Sequence, residues 1–170
     1  MKAITIPQPY ASLVAIGAKR FLTMDRTTAY RGPVAIHAGK EPFHLTLWQG
    51  RPGAQEALVR AFGGWIDHER GGAQGLDDRY YEMPYGAVLA TARLAECWRI
   101  QVDPKTHRIA LYSEGNSRLR QSGISLLSQE CVFGDYRSGR YAWELADAQP
   151  LPTPVPAKGR PGLWEWEGSA

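Results

Sequence analysis

The stretch that decides the fold is Gln8-Pro9-Tyr10-Ala11-Ser12-Leu13-Val14-Ala15-Ile16-Gly17-Ala18-Lys19. The isoleucines before it alternate with a polar residue as in a short strand, and Pro9 suits the first helical position, where its missing N–H needs no partner. Four residues then follow at helical spacing: Tyr10, Leu13, Val14 and Gly17. We expect Gly17 to end the helix in a left-handed conformation, which leaves Lys19 beside the last helical carbonyls. The stretch therefore predicts a strand, a short buried helix and an amine held in a fixed place.

Several other segments accompany this one in a recognisable order. They are YRGPVAIHA at 30–38, GAVLATA at 86–92, FGDY at 133–136, GRYAWEL at 139–145 and RPGLW at 160–164. Together with QPYASL at 8–13 and GAK at 17–19, they resemble the ASCH domain family. The resemblance implies an α+β, PUA-like fold, a small mixed β-barrel with helices at its mouth, and a role that concerns RNA, DNA or modified nucleosides. Residues 41–82 and 99–128 match poorly, and we interpret 41–82 as a helical insertion.

Length and composition predict one domain over residues 1–170. The apolar fraction is 44%, which is ordinary for a globular protein. No run approaches the roughly 20 apolar residues of a membrane span, and the N-terminus reads directly as a strand rather than a signal peptide. Cys97 and Cys131 are far apart, and we expect two packed free thiols in a cytoplasmic protein rather than a disulfide.

Charge is distributed unevenly along a chain whose net charge is only +3. Residues 1–40 hold six Lys and Arg against one acidic residue, and residues 99–140 hold seven against four. The segment between them, 41–98, holds five against eight. These two basic blocks contain most of the family motifs, and together they would form a positive patch suited to phosphate.

Hydrophobic periodicity predicts a few further elements. Alternating apolar residues indicate strands near 2–6, 33–38, 87–95 and 140–146. Helical spacing is expected over 54–69, interrupted by Gly63 and Gly64. Prolines recur at 150, 152, 154 and 156, and they predict an extended edge or crossover because proline cannot donate to a ladder.

The resemblance implies a first set of candidate residues around Lys19. Family members usually read Gly-x-Lys-x-x-Glu-x-Arg here, and those that hydrolyse N4-acetylcytidine carry Lys-x-x-Thr plus a distant glutamate. This chain keeps Lys19 but has Leu22 and Met24 at the Glu and Arg positions, with the threonine one place late. The catalytic candidates are Lys19, Thr23, Asp25 and Glu130.

Each catalytic candidate also has a purely structural interpretation. Lys19 could cap helix carbonyls, and Glu130 could be an acid on a surface loop. Thr23 could be a strand residue that faces away from Leu22, unless a bulge restores the register. Asp25 could form a turn.

A second set of candidates would contact nucleic acid, because cations bind phosphate and aromatic rings stack on unpaired bases. It contains Tyr10, Lys19, Arg26, Tyr30, Arg31, His37, Lys40, Tyr136 and Arg140. The structural alternative for Arg31 is an ion pair with a carboxylate such as Glu144. For His37 it is a hydrogen-bonded histidine of the core.

These observations predict a nucleic-acid-binding ASCH domain, for RNA or another single-stranded nucleic acid, with or without ribonuclease activity. Cleavage would use Lys19 or Arg31 against charge on phosphate and Asp25 or His37 as acid or base. The alternative is an amidohydrolase of N4-acylated cytidine or a related modified nucleoside, in which Lys19 activates Thr23 and Glu130 transfers protons. A protein-interaction domain rests only on the acidic insertion. No structural metal is expected, and only a nuclease would call for Mn²⁺ or Mg²⁺.

Overall fold

The computed structural model describes residues 1–41, 53–62, 83–113, 119–121 and 128–168. Strands and helices follow in the order β1 (Lys2–Ile6), α1 (Tyr10–Ala15), β2 (Phe21–Met24), β3 (Gly32–Ala38), α2 (Ala54–Ala61), β4 (Ala87–Val102), β5 (Ile109–Ser113), β6 (Leu119–Gln121), α3 (Gln129–Val132), β7 (Tyr141–Pro156) and β8 (Leu163–Glu165). The fold is α+β, as the sequence predicts.

All eight strands belong to one sheet. Its main order is β2-β7-β4-β3-β1-β8, and β5 and β6 extend from the far end of β4. The pair β1–β3 is parallel, whereas the other strand pairs are antiparallel. In the part of the chain that is described, β2 and β8 stand at opposite ends of this order and do not pair. The sheet is therefore not closed into a barrel.

The two 16-residue strands β4 and β7 form the spine of this sheet. Their pairing shifts register at three places, between Val88 and Ala90, between Thr91 and Arg93, and between Leu94 and Glu96. Such bulges bend a strand and increase its twist, so a long strand can bury residues on both faces. One face holds the largest apolar cluster, and the last part of β4 contributes to another cluster on the opposite face.

The first helix forms as the sequence predicts, one residue later. Pro9 precedes the helix as its cap rather than opening it. The buried Gln8 side chain closes the first turn, because its Oε1 accepts the N–H of Ser12 at 3.1 Å. Gly17 has a φ of 76°, the left-handed conformation expected of it. The N–H of Lys19 then reaches back to the carbonyl of Leu13 at 3.0 Å, which fixes the chain at the helix end.

Other predicted elements are found with changed bounds. Of the expected helix at 54–69, Ala54–Ala61 is helical and 63–69 lie outside the described residues. The proline run is extended and forms the second half of β7. One edge of β7 pairs with β4. On its other edge, β2 pairs only with Tyr141–Glu144, which precede the prolines. Cys97 and Cys131 are free thiols, as expected.

No helix in the described ranges is long and apolar enough to cross a membrane.

Candidate functional site

A buried ion pair lies where α1 ends, β2 begins and α3 begins. Lys19 Nζ is 3.3 Å from Oε1 of Glu130, and the two side chains are only 2% and 16% exposed. The amine of Lys19 is therefore buried and does not face solvent. These two candidates are 111 residues apart in sequence, and the fold brings them into contact.

Glu130 is also tied to the start of β2 through backbone groups. Its Oε2 accepts the N–H of Arg20 at 3.0 Å, and its Oε1 accepts the N–H of Phe21 at 3.1 Å. The hydroxyl of Tyr136 donates to the same Oε1 at 3.3 Å. Ser128 caps the short helix that carries the carboxylate by accepting the N–H of Cys131. The carboxylate is thus held rigidly.

Burial dominates the electrostatics of this cluster. Desolvation lowers the pKa of Lys19, and the carboxylate of Glu130 partly offsets that effect. Burial raises the pKa of Tyr136, and the nearby carboxylate raises it further. The pKa of the Cys131 thiol is also raised, again chiefly by burial. The ring of Tyr10 lies 5.8 Å from Nζ and favours the protonated amine. Such an amine can donate a proton more readily than an exposed lysine.

Thr23 has hydrogen-bond partners different from those of the amine. Strand β2 pairs with β7 in unbroken register over all four residues, so no bulge brings Thr23 to the position of Leu22. The Thr23 hydroxyl accepts the N–H of Asp135 at 2.9 Å, whereas Leu22 belongs to the main apolar cluster. The hydrogen bonds found in the described ranges do not join Thr23 to Lys19. Thr23 is therefore a strand residue whose hydroxyl binds the protein backbone.

Asp25 and Arg26 lie beyond the end of β2 and face solvent. Their side chains are 78% and 60% exposed, and the closest approach of the two charged groups is 3.9 Å. The indole N–H of Trp143 donates to the carbonyl of Arg26 at 3.0 Å and anchors the backbone there. An ion pair this exposed contributes little to stability, so the guanidinium of Arg26 remains available to an anion.

Arg140 precedes β7 and contacts the backbone of β2. Its Nη2 donates to the carbonyl of Thr23 at 3.2 Å, and its Nε is 3.4 Å from Asp135 Oδ2 without the geometry of a hydrogen bond. Asp135 also binds Arg137, and these hydrogen bonds hold the pKa of the carboxyl below its usual value. Arg140 is thus already engaged with the protein.

Arg31 pairs with Glu96 rather than with Glu144, the partner named from the sequence. Its Nε donates to Glu96 Oε1 at 3.0 Å, and its Nη1 donates to the carbonyls of Thr28 and Tyr30. Glu144 instead accepts the indole N–H of Trp98 at 2.8 Å. The hydroxyl of Tyr30 donates to the Pro33 carbonyl at 2.6 Å, so both members of this candidate pair are engaged locally.

His37 is packed beneath the C-terminal segment, away from the Lys19 cluster. It is 1% exposed, its Nε2 lies 3.1 Å from the carbonyl of Ala157, and its ring meets Trp164 edge to face at 5.7 Å. Its Nδ1 is buried and has no hydrogen-bond partner in the described structure. Lys40 is exposed, and its aliphatic stem lies where Gly86 leaves room for it.

No family model and no curated protein matches this chain.

Metal-ligating side chains do not gather in the described part of the protein. No group of three or more His, Cys, Asp or Glu that could hold an ion is found there. The candidate set thus divides in space. The pair Lys19–Glu130 with Tyr136 is assembled by the fold, Arg26 and Asp25 are exposed at the end of β2, and Arg31 and His37 lie elsewhere.

Two exposed residues that sequence reasoning did not select lie in register on neighbouring strands, Arg99 on β4 and Tyr112 on β5. The signal for Arg99 is present in Trp98-Arg99-Ile100-Gln101-Val102, which alternates apolar and polar residues like a half-buried strand. Nothing comparable marks Tyr112, because β5 is short and lies in a polar stretch.

Proposed function

We propose that this chain is an ASCH domain with a PUA-like core, and that it binds RNA or another single-stranded nucleic acid along the β2 edge of its sheet. The observation that carries the proposal is the pair of arginines that flank β2. Arg20 and Arg26 are 57% and 60% exposed, and they lie at the two ends of a strand that is the last in its sheet.

The separation of these arginines suits an extended phosphate backbone. The four residues of β2 span roughly 13 Å, so two cations that flank this strand can contact different phosphates of one nucleic-acid strand. Arg20 donates through Nη2 to the largely buried Glu144 at 3.2 Å, and its side chain is 57% exposed, so its other donors can contact a phosphate. A guanidinium offers a planar fork of donors that fits a phosphate well.

A salt titration tests the proposal. We expect a fluorescent single-stranded RNA to bind with an affinity that falls steeply as salt rises. In the double variant Arg20→Gln/Arg26→Gln, the slope of log affinity against log salt should fall by about 1.4, since each phosphate contact to a single strand contributes roughly 0.7. The control is Arg93→Gln, which removes an arginine of comparable exposure, 53%, from β4. An unchanged slope in the double variant would contradict the proposal. Cleavage is tested separately, by incubating the RNA with Mn²⁺ and either the native chain or Lys19→Met.

A second candidate function is hydrolysis of an N4-acylated cytidine, and one observation favours it. The buried amine of Lys19 has a lowered pKa and touches a rigidly held carboxylate, an arrangement typical of proton-transfer sites. Glu130 would accept a proton from the attacking water. Lys19 would then protonate the amino group as the amide C–N bond breaks, releasing cytidine and the carboxylic acid. Thr23 has no part in this scheme.

Liquid chromatography of N4-acetylcytidine incubated with the protein tests this second candidate. We expect cytidine and acetate to form with the native chain and not with Lys19→Met, whereas Thr23→Val should retain the activity because its hydroxyl serves the Asp135 backbone. Absence of turnover in the native chain would exclude this substrate. Loss of turnover in Thr23→Val would restore the threonine as nucleophile.

A further inference from the structure

A row of side-chain positions crosses four adjacent strands on one face of the sheet. Met24 of β2 is opposite Tyr141 of β7, Tyr141 is opposite Arg99 of β4, and Arg99 is opposite Tyr112 of β5. Residues that are directly opposite share a face, and neighbouring strands are about 4.8 Å apart. The backbones of the two tyrosines are thus separated by about 10 Å, twice that spacing, with an arginine between them.

The far end of this row opens into a groove of about 490 Å³. Its lining includes Arg99, Gln101, Tyr112, Ser113 and Ser138. The volume falls within the range of about 300–1,000 Å³ that is usual for small-molecule sites, so the groove has room for a nucleotide.

The groove has fixed walls. On one side, Ser138 Oγ accepts the N–H of Val102 at 2.8 Å, and Gly139 donates to the carbonyl of Ile100 at 3.1 Å. On the other side, Tyr112 is held in β5 by its pairing with β4. A preformed groove needs little ordering when a ligand enters, which favours binding.

The chemistry of the groove fits one nucleotide of a single strand. Tyr112 is 37% exposed, an unusual position for a large aromatic ring among the described residues, and a base can stack on its face. Among those residues, no carboxylate forms an ion pair with Arg99, so its charge is open to a phosphate. Hydroxyl and amide groups from Ser113, Ser138 and Gln101 can bind base edges or a ribose.

We infer that this face of the sheet is a stacking platform for single-stranded nucleic acid, in which Tyr112 stacks on an unpaired base and Arg99 binds the adjoining phosphate. The inference rests on the proposed nucleic-acid function and extends it by giving the bases a place. Met24 and Tyr141 are half-buried against the main apolar cluster, so the open part of the row is Arg99 and Tyr112, at the end beside the groove.

Binding of a fluorescent eight-nucleotide oligouridine, followed by anisotropy, tests the platform. Loss of one stacked base typically weakens binding by about 1–3 kcal/mol, which is roughly 5- to 150-fold. We expect a loss of this size for Tyr112→Ala and a much smaller one for Tyr112→Phe, which keeps the ring. Arg99→Ala should reduce the salt slope by about 0.7. The control is Arg93→Ala, on the same strand and also exposed, which should leave binding unchanged.

The outcomes separate this inference from the function on which it rests. If the native chain does not bind the oligonucleotide, both are wrong. If it binds, and the double variant Arg20→Gln/Arg26→Gln loses affinity while Tyr112→Ala and Arg99→Ala do not, the platform is wrong and the β2 edge remains. Thermal melting by circular dichroism checks that each variant is folded. If Tyr112→Ala does not fold, Arg99→Ala still tests the platform, because the substituted side chain is exposed.

Discussion

At the level of residues, Glu130 has two roles that a single substitution of Glu130 would remove together. It neutralises the buried amine of Lys19, and it also accepts two backbone N–H groups at the start of β2 and the hydroxyl of Tyr136. A carboxylate with so many donors is positioned by the fold whether or not a ligand is present. The side chains of Lys19 and Tyr136 are more informative probes, because in the described structure each makes one hydrogen bond, to Glu130.

Replacing Tyr136 by Phe should change how stability depends on pH. At pH 8 the variant should be about 1 kcal/mol less stable, because the hydrogen bond to Glu130 is lost. Above pH 10 the unfolded native chain releases the phenolic proton, whereas the folded chain keeps it because the pKa of Tyr136 is raised. The native protein then loses stability as pH rises, so the difference between the two proteins should shrink.

Free energies of unfolding in urea between pH 8 and 11.5 measure this difference. The raised pKa of Cys131 acts in the same direction as that of Tyr136. The lowered pKa of Lys19 acts oppositely, since the folded chain gives up that proton before the unfolded chain does and gains stability toward pH 10.5. Both contributions are shared by the native and variant proteins and largely cancel. A constant difference across this range would show that Tyr136 ionises equally easily in both states.

At the level of elements, the segment after β7 is pressed against β1 and β3. Gly159 is so close that a Cβ there would lie 2.6 Å from Cε1 of His37 and 2.9 Å from Oγ1 of Thr5. The same hydroxyl donates to the Arg160 carbonyl and accepts the indole N–H of Trp164. The glycine is thus what allows the C-terminal segment to lie flat on the sheet.

Replacing Gly159 by Ala should therefore destabilise the protein by about 1–3 kcal/mol, the usual cost of overfilling a packed site. His37 cannot move away easily because it is 1% exposed and bound to Ala157. Chemical denaturation of the variant provides the measurement. Gly39→Ala is the matched control, since a Cβ there meets its nearest neighbour at an ordinary 3.7 Å. Equal stability of the two variants would mean that the segment can lift off the sheet at little cost.

At the level of the whole molecule, the sequence predicts what depends on local periodicity. Strand β1, helix α1 with its Gly17 terminus, and strand β3 follow from neighbouring residues. The strands β5 and β6 lie in a mostly polar stretch and β8 has only three residues, so the sequence carries little periodic signal for them. The open course of the sheet depends on contacts between distant strands, which no local pattern encodes.

In the candidate site, too, the residues could be named from the sequence but their contacts could not. Lys19 and Glu130 were selected through a family resemblance, and their contact is a property of the folded chain. The partner of Arg31 could not be predicted, because Glu96 reaches it only through the pairing of β3 with β4. The groove at Tyr112 was missed for a related reason, since it exists only where β5 and the segment around Ser138 approach β4 from opposite sides.

The place of β1 between β3 and β8 has a consequence for synthesis on the ribosome. Strand β1 pairs on one side with β3, which follows soon after it in the chain. Its other side pairs with residues 163–165 of β8, which are synthesised much later. Until β8 has left the ribosome, one margin of β1 stays uncovered, as an unpaired edge that other chains can join. A chaperone that protects this edge would have to stay on the nascent protein until β8 is made.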